Sequence, residues 1–93
     1  MSVIARRLMI RGLVQGVFFR AWTVETAKTL GLVGWVRNRS EGSVEAFVQG
    51  KAETIDHFIT LARNGPPAAR VDSIEENEAT PAEHSRFEQR PTA

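Results

Sequence analysis

"VGWVRNRSEGSVEAFVQ", residues 33–49, is the stretch that decides the architecture. Within it Val44, Ala46 and Val48 alternate with Glu45, Phe47 and Gln49, the clearest period of two in the chain. Such alternation marks a strand with one face turned to a core. Residues 33–38, VGWVRN, form a second β-rich run, and only the turn RSEG separates it from the strand at 43–49. A parallel crossover needs a dozen residues or more, so the two runs close as an antiparallel hairpin.

On the N-terminal side, residues 3–13 are rich in β-formers. Ile4, Leu8 and Ile10 share one parity and Arg7, Met9 and Arg11 the other, again a strand with one buried face. Over residues 21–30 the period changes. Thr23, Ala27 and Leu30 stand at i, i+4 and i+7, and Gly31 follows as a helix-ending C′ residue. On the C-terminal side, residues 51–64 carry Ile55, Phe58, Ile59 and Ala62 at i, i+3, i+4 and i+7, and Gly65 and Pro66 stop that helix. "RVDSIEEN", 70–77, reads as a strand of poor alternation. Residues 78–85 read as polar loop, and "RFEQ" adds a short fifth edge strand before a frayed tail. The order βαββαβ predicts an α+β two-layer sandwich, with a four-stranded antiparallel sheet and both helices on one face. One domain over residues 1–93 is expected, without repeat, linker or low-complexity segment.

The totals narrow the function classes. Ninety-three residues allow one modest core, and 42% hydrophobic with 25% charged residues is ordinary for a soluble globule. A formal charge of +1 gives no general pull toward nucleic acid or an acidic membrane. The absence of cysteine removes disulfides, thiolate metal sites and cysteine nucleophiles. "MSVIARRLMI" is too short and too interrupted by Arg6 and Arg7 for a signal peptide, and no run approaches the ~20 apolar residues of a membrane span. A cytoplasmic protein is expected.

The segment joining the first strand to the first helix is "GLVQGVFFR", residues 12–20. Amides at the start of a helix lack intrahelical acceptors, and the macrodipole adds positive charge there. Gly12 and Gly16 are free to take positive φ and admit an anion close to the backbone. Val17, Phe18 and Phe19 would then point into the core, and the planar guanidinium of Arg20 would close an anion cradle. By spacing alone a second reading stays open, a glycine-softened turn whose arginine is merely solvated. Asn38 likewise suits either a turn or a carboxamide that orients a water beside an anion. His57 and His84 have no partner at metal-ligand spacing and read as exposed surface residues. Trp22, Trp35 and Phe47 read as packing, and the arginines of the first strand as partners of Glu75, Glu76 or other surface acids.

"GLVQGVFFR" at 12–20, "GWVRNRSEGSVEAFVQG" at 34–50 and "GPPAARVDSIE" at 65–75 together resemble the acylphosphatases, over residues 4–76. The resemblance implies a ferredoxin-like sandwich with strand order 4-1-3-2 and a small-molecule acyl phosphate as substrate. It implies hydrolysis of the carboxyl–phosphate anhydride to carboxylate and inorganic phosphate, without metal, cofactor or phosphoenzyme. It assigns the phosphoryl group to the backbone amides of Gln15, Gly16, Val17, Phe18, Phe19 and Arg20 and to the Arg20 side chain. It assigns the attacking water to Asn38. Phosphate or sulfate is expected as product or inhibitor, with a monomer as the oligomeric state and no nucleic-acid or membrane partner. Gln89 departs from the family in standing where an apolar strand residue is more usual, and Ser40 is open as a support for Asn38. No segment reads as a pocket for a particular acyl group.

Two other readings remain. An RNA-binding module of the same element order needs stacking aromatics on its two central strands. The outward residues there are Arg7, Met9 and Arg11 on one strand and Glu45, Phe47 and Gln49 on the other, a poor platform. An accessory domain would bind carbamoyl phosphate without turning it over.

Overall fold

The computed structural model describes residues 3–93; Met1 and Ser2, the start of the N-terminal stretch weighed above, lie outside the described residues. The elements run β1 (Ile4–Leu13), α1 (Phe19–Thr29), β2 (Val33–Asn38), β3 (Val44–Gly50), α2 (Ala52–Ala62), β4 (Arg70–Ala79) and β5 (Phe87–Gln89). The sheet order is β4-β1-β3-β2-β5. The first four strands pair antiparallel, as the hairpin at 33–49 requires.

The fifth strand runs parallel to β2, so the sheet as a whole is mixed. Register explains its direction. Ala79 at the end of β4 pairs with Ala5, Ala5 with Gln49, and Gln49 with Val33 at the start of β2, one row across the sheet. A chain that leaves β4 and crosses at this row arrives beside the beginning of β2 and continues in its direction. The crossing segment is held on the helix-free face. The Gln49 carboxamide donates to the Ala82 carbonyl (2.9 Å) and accepts from the Ala82 N–H (2.8 Å), and His84 lies against Phe47 with ring centroids 5.2 Å apart. His84 is therefore half-buried rather than an exposed surface residue. His57 is exposed as expected.

The core lies between the other face of the sheet and the two helices. Leu8 and Ile10 of β1, Val36 of β2 and Val44, Ala46 and Val48 of β3 all face it and are fully buried. The four residues read from α2, Ile55, Phe58, Ile59 and Ala62, are the four it buries. Phe58 and Phe19 close around Trp22, with centroids 6.1 and 5.6 Å from its ring, and burial of each phenyl side chain stabilises by roughly 1.5–3 kcal/mol. Phe87 anchors β5 in the same core, which is why so short a strand holds.

Helix α1 begins at Phe19, two residues before the start read from its period, and Phe19, Thr23 and Ala27 form its buried face. The residues ahead of it have no helical period of their own, so the pattern starts late. Its end is as read. The Gly31 N–H donates to Lys28 and the Leu32 N–H to Ala27, the paired bonds of a Schellman close.

Charged residues on β1 are used as expected. Arg6 reaches Glu76 (3.3 Å) and also Asp56 (2.9 Å), and Arg11 reaches Glu75 (3.2 Å). These pairs are exposed and add little stability. Arg7 instead joins Arg37 and Arg39 around Glu45, whose side chain is buried on the helix-free face at 3.6, 2.7 and 3.3 Å from them.

Gly12 has a role other than the one expected. It sits at a bulge where the β1–β4 register shifts, with φ at 133°. A Cβ placed there would lie 2.2 Å from the Arg70 carbonyl oxygen, so glycine answers the approach of β4 rather than of an anion. Gly12→Ala is expected to lower the unfolding free energy by about 2–3 kcal/mol, seen as an earlier midpoint in urea denaturation.

Candidate active site

Between β1 and α1 the backbone reverses sign repeatedly. Gly16 has φ at 73° and Phe18 at 65°, and Phe18 is the one non-glycine residue with positive φ among the described residues. Alternation of left- and right-handed residues turns successive N–H groups toward one concavity, a nest for an anion. Around Gly16 an added Cβ would meet nothing within 4 Å, so the demand at that position is for backbone conformation alone. A non-glycine residue in the left-handed region costs roughly 1–2 kcal/mol, which the loop tolerates at Phe18.

That conformation overturns one expectation. Val14 and Phe19, at the two ends of the loop, are buried and pin it to the core, and Val17 packs down half-buried. Phe18 does not; it is 82% exposed, because left-handed backbone swings its side chain out of the layer. Phe18 is also the N-cap of α1. No side chain caps that end, and the first turn carries no acidic residue. The amides there meet no side-chain acceptor, and the macrodipole leaves them positive.

Asn38 ends β2. Its Oδ1 is buried and has no hydrogen-bond partner in the protein. Such an atom is costly unless something completes it. Asn38 and Arg20 share a cleft of about 330 Å³, which is also lined by Gly16, Phe18, Phe19, Val14, Ala21 and Gln89. The guanidinium of Arg20 pairs with no acidic side chain among the described residues, unlike those of Arg6, Arg7, Arg11, Arg37 and Arg39.

Of the residues expected in the cradle, Gly16, Phe18, Phe19 and Arg20 reach this cleft, while the side chains of Gln15 and Val17 turn elsewhere. The Gln15 carboxamide donates from Nε2 to the carbonyls of Arg39 and Ser43, each at 2.8 Å. It ties the loop before α1 to the turn that follows Asn38. That turn is closed by Arg39 N–H to Ser43 O (2.9 Å) and Gly42 N–H to Arg39 O (3.1 Å). Within it, the Ser43 hydroxyl and then its N–H hydrogen-bond Glu41 and lower the pKa of that carboxyl below its ordinary 4.5. A depressed carboxylate supports the turn above that value, and the support fades as pH falls below it.

Sequence reading missed three things here. Gln15 acts through its side chain, and the contact spans a separation no local pattern reveals. Gln89 is in the cleft, brought there by a strand whose direction depends on the crossing at 80–86. Ser40 makes no bond to the Asn38 side chain. Support comes instead from the C-terminal segment, read as frayed: Ala93 N–H donates to Asn38 O (3.0 Å), Ser40 N–H to Ala93 O (2.9 Å) and Arg90 N–H to Val36 O (2.8 Å). The face that RNA stacking would need is already used. Phe47 lies between Trp35 and His84, and Arg37 and Arg90 sit 4.8 and 4.9 Å from the Trp35 ring.

With this geometry, comparison with known proteins is specific. The acylphosphatase family model matches residues 6–89. An acylphosphatase of Rhizorhabdus wittichii is 53% identical over 89 residues, 96% of this chain and 90% of that protein. An acylphosphatase structure from Coxiella burnetii superposes with a TM-score of 0.91 at 34% identity, covering 95% of this chain and 93% of that one. Full-length HypF, solved in a phosphate- and nucleotide-bound form, contains a similar unit (TM-score 0.90, 30% identity). It covers 98% of this chain but 12% of HypF. The chain belongs to the acylphosphatase family, and its activity is the hydrolysis of acyl phosphates.

Gln15→Ala removes two hydrogen bonds and leaves two part-buried carbonyls without that partner. It is expected to destabilise the fold by about 1–3 kcal/mol, measured by thermal or urea unfolding.

Proposed function

We propose that hydrolysis proceeds by direct attack of a water held at Asn38 on a phosphoryl group held by the backbone N–H groups of residues 15–20 and the guanidinium of Arg20. One observation carries this reading: the unpaired Arg20, the uncapped N-terminus of α1 and the buried, unpartnered Oδ1 of Asn38 converge on one cleft. Oδ1 accepts a hydrogen bond from the water and leaves an oxygen lone pair for phosphorus. The water oxygen bonds to phosphorus, the bond from phosphorus to the acyl oxygen breaks, and its electron pair leaves with the carboxylate. The water's proton passes to an oxygen of the phosphoryl group itself, since the cleft lining has no carboxylate, histidine or lysine to take it.

The chemistry fits so spare a set of groups. A carboxylate leaves without a general acid. A loose phosphoryl transition state asks mainly for alignment and for charge to meet the equatorial oxygens. Amides and a guanidinium fixed in place supply that charge. Nothing in the lining is a candidate for a covalent phosphoenzyme or a metal ligand set. The reading takes residues 1–93 as one acylphosphatase domain, a cytoplasmic monomer, with phosphate or sulfate as the inhibiting ion.

Purified protein is expected to release phosphate from acetyl or benzoyl phosphate in the presence of EDTA. Binding of phosphate with no turnover of either would favour the accessory-module reading instead. Arg20→Ala is expected to lower kcat by about 10²–10³-fold and to weaken inhibition by phosphate, because the one charged clamp is gone. Asn38→Ala is expected to lower kcat by about 10²-fold while the inhibition constant of phosphate changes little. Equal losses of phosphate affinity in both variants would overturn this division of labour.

A further inference from the structure

We infer that Phe18 is a specificity-determining residue that receives the acyl group, and that this enzyme prefers acyl phosphates with an aromatic or bulky apolar acyl group. The inference rests on the assignment of the phosphoryl group to the cradle and of the water to Asn38. In-line displacement puts the leaving carboxylate on the side of phosphorus opposite the water. With the phosphoryl oxygens against the loop amides and Arg20 and the water at Asn38, the acyl group is directed to the solvent rim of the cleft. Phe18 lines that cleft two residues from Arg20 and is 82% exposed, so the residue belongs to the site while its ring stands on the solvent side.

Two unfavourable features coincide at this residue. It presents the most exposed of the large apolar side chains among the described residues, and it holds the one left-handed non-glycine backbone. Packing explains neither: its ring pairs with no other aromatic ring and lies outside the core cluster. Glycine or asparagine would meet the backbone demand at lower cost. The backbone conformation is needed for the nest, but the phenyl ring is not. A ring that serves neither fold nor nest, placed where the leaving group emerges, has the organic part of the substrate to contact. Ala21, exposed in the same lining, extends that apolar edge. Aromatic rings in offset or edge-to-face contact add affinity beyond the area they bury.

The test compares kcat/KM for benzoyl phosphate with kcat/KM for acetyl phosphate in wild type, Phe18→Gly and Phe18→Asn. Both substitutions suit left-handed backbone, so the loop conformation is kept while the ring is lost. The wild-type ratio is expected to favour benzoyl phosphate and to fall about tenfold in both variants, chiefly through KM for the aromatic substrate. A ratio that stays within about twofold of wild type in both variants overturns the assignment of Phe18 and leaves the hydrolytic mechanism standing. Failure of wild type to release phosphate from either substrate overturns the mechanism and this inference together. Urea unfolding of each variant separates a specificity effect from loss of fold, since neither is expected to unfold earlier than wild type.

Discussion

Everything at the cleft depends on one row of the sheet. Val44, the first residue of β3, pairs with Ile10 of β1 on one side and with Asn38 of β2 on the other. Because β1 and β2 are both antiparallel to β3, they run in the same direction and end at the same edge of the layer. Each lies one strand spacing from β3, so Ile10 and Asn38 stand roughly 10 Å apart across it. At that edge β1 releases the loop that becomes the N-terminus of α1, and β2 delivers Asn38. A slip of one residue in the β2–β3 pairing would turn Asn38 to the opposite face of the sheet, and a slip in the β1–β3 pairing would turn Leu8 and Ile10 out of the core. Core burial of Val44, Ala46 and Val48 thus sets the separation of two groups that are far apart in the chain.

Fine adjustment is then made by hydrogen bonds rather than by packing. Gln15 bridges from the loop to the carbonyls of Arg39 and Ser43, and the C-terminal segment pairs with the main chain of Val36, Asn38 and Ser40. The loop and the turn are therefore fastened to each other, and the turn is fastened to the C-terminal segment. This matters where the groups that meet a ligand are main-chain amides: they have no rotamers to adapt, so their placement is only as good as that of the backbone. The proposed site, made largely of backbone amides with one guanidinium and one carboxamide, puts its precision into topology.

The parts legible in the sequence were those set by periodic burial or by sterically special residues. The quartet Ile55, Phe58, Ile59 and Ala62 marked α2 because only one helical face meets the core, and the alternation from Val44 to Val48 marked β3 for the same reason. Arg20 and Asn38 were legible as candidates, and both line one cleft, though their pairing came from resemblance to a family and not from spacing. What escaped notice depends on contacts distant in sequence. The parallel direction of β5 follows from the row Ala79–Ala5–Gln49–Val33, which exists only once all four main strands are in register. The exposure of Phe18 follows from a φ of 65° that no apolar pattern encodes, so an apolar triplet was read as three anchors where the structure uses two.

The helix-free face shows why the same element order need not serve the same partners. Its aromatic residues are engaged by the chain itself, Phe47 by Trp35 and His84 and Trp35 by two guanidinium groups. Its most buried charge, Glu45, is surrounded by Arg7, Arg37 and Arg39, which draws three cations inward to neutralise one carboxylate. A nucleic-acid platform requires the opposite arrangement, with rings left open for bases and cations left free for phosphates. In this molecule the guanidinium of Arg20 and the uncapped N-terminus of α1 lie instead at the strand ends, where the proposed function has them enclose a single phosphoryl group.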